Sequence, residues 1–130
     1  MKECIIMITI IVIVFSGDAM IQGYLENSSN TLENQLQELK EKAIESKETE
    51  NREEVKETFE KLEEEWEKTN KIWSVIVIHE ELDNIEESLT KAKSSIYDGE
   101  VEEALEEIET AIFFIKHVRE REKILLKNIF

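Results

Sequence analysis

The sequence predicts an all-α chain: one N-terminal transmembrane helix followed by an antiparallel bundle of three to four helices. Three observations carry that prediction. Proline is absent and the only glycines are Gly17, Gly23 and Gly99, so the turn formers that strands need at every end are missing. An uncharged apolar run opens the chain. Downstream of it, apolar residues recur at steps of three and four, the spacing that lines one face of a helix. At 130 residues the chain has room for a single core. The reading divides it into a transmembrane segment over residues 1–25, a linker over residues 26–30 and an acidic helical domain over residues 31–130.

Lys2 and Glu3 precede the run from Cys4 to Phe15, which no amphipathic helix of a soluble domain would show. That run alone falls short of the ~20 residues that cross a hydrocarbon core. Continued through Ser16, Gly17, Asp18, Ala19, Met20, Ile21, Gln22 and Gly23 to Tyr24, it reaches the required length, with Asp18 near its outer edge. Contact with the lipid bilayer is therefore assigned to residues 4–25. Two mature forms compete. Cleavage at the small-x-small triplet Gly17-Asp18-Ala19 would release a secreted body. An uncut segment is a signal anchor, favoured because apolar residues continue past the triplet and Tyr24 sits where interfacial aromatics sit. In both cases Lys2 stays cytoplasmic and the body is extracytoplasmic, which places the anchored form in the cell membrane as a single-pass protein. Cys4, the sole cysteine, has no internal disulfide partner. It precedes the apolar run, whereas a lipobox cysteine follows one, so it reads as a membrane-buried bystander.

Glu26-Asn27-Ser28-Ser29-Asn30 interrupts the apolar pattern and offers side-chain oxygens that accept from free backbone amides at a helix start; it reads as the hinge between membrane and domain. A first helix follows with Leu32, Leu36, Leu39, Ala43 and Ile44 on one face, fading near Ser46. Asn51 and Glu54 resemble a capping box that opens a second helix. Its seam, Val55, Phe59, Leu62, Trp66, Thr69, Trp73 and Ile76, alternates steps of four and three as helix-packing seams do. The seam restarts in a new phase at Ile78, Leu82, Ile85, Leu89, Ala92 and Ile96. The jump from Ile76 to Ile78 turns the stripe by about 200° at 100° per residue, which places a break or kink near His79; the competing picture is one helix over residues 52–97 that buries opposite faces. Asp98-Gly99 ends this element. The last helix opens at Glu100 and buries Val101, Leu105, Ile108, Ala111, Ile112, Ile115 and Val118. The apolar tail from Ile124 to Phe130 is expected to dock on the bundle or the membrane surface. Phe113 and Phe114 are adjacent, so only one of them can face the core.

The charge narrows function. With 31 acidic against 16 basic residues and a net charge of -15, the surface repels phosphate backbones, which excludes nucleic acid as a partner. Paired carboxylates at helical spacing arise by chance in so acidic a chain. A phosphate-cradling loop, a Ser-His-Asp arrangement and a Cys-x-x-Cys pair are all absent. The expectation is therefore a non-enzyme without a cofactor, an interaction or structural module that meets a protein partner or a second copy through its helix faces. An alternative is a metal- or ligand-binding sensor. A hairpin turning at Asp98-Gly99 brings position 79 opposite roughly position 118, so His79, Asp83, His117 and Glu120 fall at one end of the bundle, with imidazole and carboxylate donors suited to a divalent metal. Against it stands the plainer reading of two histidines hydrogen-bonded at the bundle's end. Phe59, Trp66 and Trp73 lie on the seam and read as core rather than as a ligand-stacking box.

The stretch Trp66 to Asn84, with Trp-x6-Trp followed by Ile-His-x3-Asp-Asn, resembles domain-of-unknown-function family 4363. The N-terminal span and the ending Leu126-Lys127-Asn128-Ile129-Phe130 extend the likeness to nearly the whole chain. The resemblance implies a short protein of low-GC Gram-positive bacteria, with one N-terminal membrane segment and a helical body. It implies no activity and no catalytic residues, and it supports the uncleaved anchor. Many members of that group place an aromatic ahead of the second helix; here Glu50-Asn51-Arg52 has none.

Overall fold

A computed structural model describes the backbone of residues 1–129 and the side chains of residues 1–124. Among the described residues, four helices account for the fold: α1 (Lys2–Thr49), α2 (Arg52–Ile76), α3 (His79–Asp98) and α4 (Val101–Ile129). Each packs against two neighbours, closing a ring in the order α1, α2, α3, α4. Contacts between the helices fix an up-down-up-down bundle. Lys42 meets Glu54 across α1 and α2, Glu63 meets Lys93 across α2 and α3, and Glu81 meets Arg121 across α3 and α4.

The linker is where the structure departs from the sequence reading. Residues 26–30 are helical, and α1 passes through them without a break. The polar side chains that suggested a cap are satisfied inside the helix instead. Ser28 Oγ donates to the Tyr24 carbonyl at 2.7 Å, Ser29 Oγ to that of Glu26 at 3.0 Å and Thr31 Oγ1 to that of Asn27 at 2.9 Å. A cap serves amides that have no upstream turn to bond, and here the upstream turn is already helix.

The same helix therefore has two environments. Its apolar N-terminal part is unburied and is the one stretch among the described residues long and apolar enough, by length and composition, to cross a membrane. Leu25 is the first buried side chain, followed by Leu32, Leu36, Leu39 and Ala43. Ile44, expected on that face, is exposed, and Ser46 is buried in its place.

Glu50 closes α1 in the left-handed conformation at φ 57, its amide bonding the Ser46 carbonyl at 2.9 Å. Asn51 occupies the N-cap of α2 but makes no side-chain cap hydrogen bond, so the capping box is not formed. The α2 seam buries Val55, Phe59, Leu62, Trp66, Thr69 and Trp73 as expected, but Ile76 is only half-buried. Ile78, expected to open the α3 seam, is exposed, with Val77 buried in its place because the backbone is extended there. The change of phase after Ile76 is resolved by a break, not by one long helix. Val77 is extended at φ -117 and ψ 148, and Ile78 at φ -64 and ψ 133 leads into α3. Gly99 ends α3 at φ 78, where a β-carbon would meet the Arg52 guanidinium at 2.7 Å. In α4 the core is Ala104, Ile108, Ala111, Ile112, Ile115 and Val118, whereas Val101 and Leu105 are only half-buried. Phe114 packs against the core and Phe113 is exposed. Ile124 is exposed; the rest of the tail expected to dock lies outside the residues whose side chains are described.

One seam carries a repeating electrostatic pattern. Along α1, Glu26, Glu33, Lys40 and Lys47 pair in turn with Lys123, Lys116, Glu109 and Glu102 of α4. Each heptad step up α1 is answered by a heptad step back along α4. Read from N to C, both helices run acid, acid, base, base. Antiparallel pairing thus matches every rung, while a parallel pairing would set like charge against like at each one. Exposed pairs of this kind contribute only ~0.2–1 kcal/mol each, so they choose orientation more than they supply stability.

Candidate functional site

The end of the bundle from which the apolar part of α1 projects gathers most of the chemistry. α2 reaches it at Trp73, α3 starts there, and α4 ends there. Two tryptophans set its interior. Trp73 is fully buried, and its Nε1 donates to Ser28 Oγ at 2.9 Å, which supplies the partner that a buried indole needs. Trp66 stands edge-on to it, with ring centroids 6.0 Å apart at 89°, and donates from Nε1 to Glu86 across the α2–α3 seam.

The two histidines occupy different depressions. His79 and Asp83, one turn apart, line an open groove of about 440 Å³ between α2 and α3, together with Asn70, Lys71, Ser74 and Glu86. His117 lines a second depression, of about 220 Å³, between α3 and α4 with Glu80, Asn84 and Arg121. Its imidazole stacks on Phe113 at 6.2 Å, and its nearest carboxylate is Glu81, at 3.7 Å, not Asp83. Glu120 is exposed and lines neither. Among the described residues, no group of three or more His, Cys, Asp or Glu side chains is placed to hold a metal ion. The hairpin register places the histidines at one height, as the sequence reading required. It does not place them on one face: positions 79 and 83 look toward α2, and positions 80, 81 and 84 toward α4.

A residue the sequence reading passed over is the polar centre of the second depression. Glu81 is 7% exposed. Its Oε1 accepts from Arg121 at 3.0 Å, while its Oε2 is buried with no hydrogen-bond partner among the described residues. Burial pushes the Glu122 carboxyl above its ordinary value, and the Glu81 charge adds to the rise, with Arg121 offsetting part of it. The contrast is Glu33 on the α1–α4 seam. Burial there acts upward, but the hydrogen bonds and charges of Arg119 and Lys116 outweigh it and hold the carboxyl below its ordinary value. Glu81 carried no signal in the sequence, because one glutamate among so many is marked only by its neighbours in space.

The model of a family described as a domain of unknown function (DUF4363) matches residues 19–129. The chain belongs to that family. The DUF4363 match begins within α1, just past the apolar run, and takes in the whole bundle, including both depressions, Glu81 and the ion-pair ladder. No curated protein and no solved structure matches this DUF4363 member.

Proposed function

We propose that this protein is a single-span membrane protein whose helical bundle stands on the extracytoplasmic face and acts as an interaction or structural module. The observation that carries the reading is the continuity of α1. One helix from Lys2 to Thr49 is bare and apolar in its first part and a wall of the bundle in its second. A rise of ~1.5 Å per residue takes ~20 residues across a ~30 Å hydrocarbon core, which carries the helix from Cys4 to about Gly23, directly below the first buried residue, Leu25. Anchor and bundle then form one rigid element that holds the domain at a fixed height. Lys2 before the span, with no Lys or Arg after it until Lys40, favours the outward orientation.

Membrane fractionation with N-terminal sequencing of the mature chain tests this. The reading expects the intact N-terminus in the membrane fraction and a body open to protease added outside the cell. A chain that starts near Ala19 and is found in the medium would make the protein secreted. Crosslinking in intact membranes tests the interaction role: adducts through the exposed helix faces support it, and a monomer free of adducts opposes it.

A further inference from the structure

The turn between α2 and α3 leaves three large apolar side chains uncovered. Ile72 is 48% exposed, Val75 84% and Ile78 45%, while Trp73 and Val77 between them are buried. Ile72 and Val75 lie off the α2 face that buries Thr69 and Trp73, and Ile78 stands in the extended break before α3.

Two observations say what covers them. The first is height. The Trp73 hydrogen bond to Ser28 sets the end of α2 beside residue 28 of α1. The helices are antiparallel, so the apex at Val77 and Ile78 lies level with the turn of α1 just before Leu25, where the bare apolar part begins. The second is charge. The stretch from Lys68 to His79 holds Lys68 and Lys71 and no acidic residue, in a chain with 31 acidic residues against 16 basic. Apolar side chains beside lysine, with the acids resuming only at Glu80, share the composition of segments that lie in a headgroup layer. A second copy of the chain is a poorer occupant. Three side chains present far less than the ~1,200 Å² a stable protein interface buries, whereas a surface to which the chain is already tethered needs little area, because tethering supplies the effective concentration.

We propose that the α2–α3 turn is a second membrane contact, with Ile72, Val75 and Ile78 seated in the headgroup layer of the leaflet from which α1 emerges and Lys71 facing anionic lipid. The contact rests on the anchor reading above. It stops the bundle from pivoting about α1 and fixes which helix faces look away from the membrane.

The test uses the full chain with Cys4→Ser, carrying a single environment-sensitive fluorophore at Ile11→Cys, Val75→Cys or Ser94→Cys. Vesicles of phosphatidylcholine and phosphatidylglycerol carry a nitroxide near the headgroup end of the acyl chain. Ile11 reports the span, and Ser94, exposed on α3 toward the far end of the bundle, reports the body. Burial of ~5–10 Å into the interface should quench Val75→Cys at least about half as strongly as Ile11→Cys, with Ser94→Cys unquenched. Quenching at Ile11→Cys with none at Val75→Cys overturns the second contact and leaves the anchor standing. An absence of quenching at both overturns the two together.

Discussion

The two long seams on either side of the bundle are built on different terms. Between α1 and α4 the seam is closed and laced by four heptad-spaced ion pairs, from Glu26–Lys123 to Lys47–Glu102. Between α2 and α3 it parts toward the turn, leaving the groove of about 440 Å³ lined by Asn70, Lys71, His79 and Asp83, crossed by the Lys93–Glu63 and Trp66–Glu86 contacts. The closed seam belongs to the helix whose apolar first part projects from the bundle. The open one faces its exposed polar and apolar groups outward at the same end. The difference is one of packing: one seam is matched rung by rung, and the other leaves side chains facing solvent.

The largest expected effect comes from the residue that ties the open side to the closed one. Trp73→Ala removes a fully buried indole and its bond to Ser28, and a loss of about 3–5 kcal/mol should appear in urea unfolding of the full chain in detergent micelles. Loss of less than a third of that would mean the open end is held elsewhere.

Next is Glu33, the least exposed acid of the ladder. Glu33→Gln removes the charge that strengthens the hydrogen bond donated by Arg119 and the pair with Lys116, and a cost of about 1–3 kcal/mol is expected at neutral pH. The sign with pH follows from the lowered carboxyl. Its contribution is present above the ordinary value of 4.5 and is lost as pH falls through the lower folded value. The variant should therefore converge on the parent in acid; a gap that persists at low pH would remove the ion pair as its cause.

Glu50→Gly relieves a left-handed residue with a side chain and should raise stability by about 1 kcal/mol, read as a rise in Tm. The ladder itself should respond weakly. Lys40→Glu and Glu109→Lys each cost about 0.2–1 kcal/mol, and together they restore most of the loss; singles that add without recovery would mean the rungs do not couple. The smallest effect has the opposite sign. The Glu122 carboxyl is raised, so its ionisation penalty is absent below 4.5, grows above it and is complete beyond the raised folded value. Glu122→Gln should be slightly more stable than the parent at pH 7, and less stable if burial is not the cause.

Much of this architecture was legible from periodicity. The α2 seam, the break before His79 and the glycine stop at Gly99 each follow from local rules that tertiary contacts do not override. Residues 26–30 look like a hinge in the sequence, but serine and asparagine cap a helix only where its first amides are free. Here Ser28 and Ser29 return their hydroxyls to carbonyls of the same helix, and Ser28 also accepts from Trp73. The candidate site was half legible for a related reason. Counting residues through a hairpin gives height, which put His79 and His117 at one end. Which way each looks depends on how the helices rotate to bury Leu82, Ile85 and Ile115, and that rotation separates the two imidazoles.

The continuity of α1 is the claim on which the rest depends, and hydrogen–deuterium exchange of the full chain in lipid vesicles addresses it most directly. An unbroken helix predicts that the amides of residues 26–30 exchange as slowly as those of residues 32–39. Fast exchange confined to residues 26–30, with slow exchange on both sides, would mean a flexible joint between membrane and bundle and would contradict it.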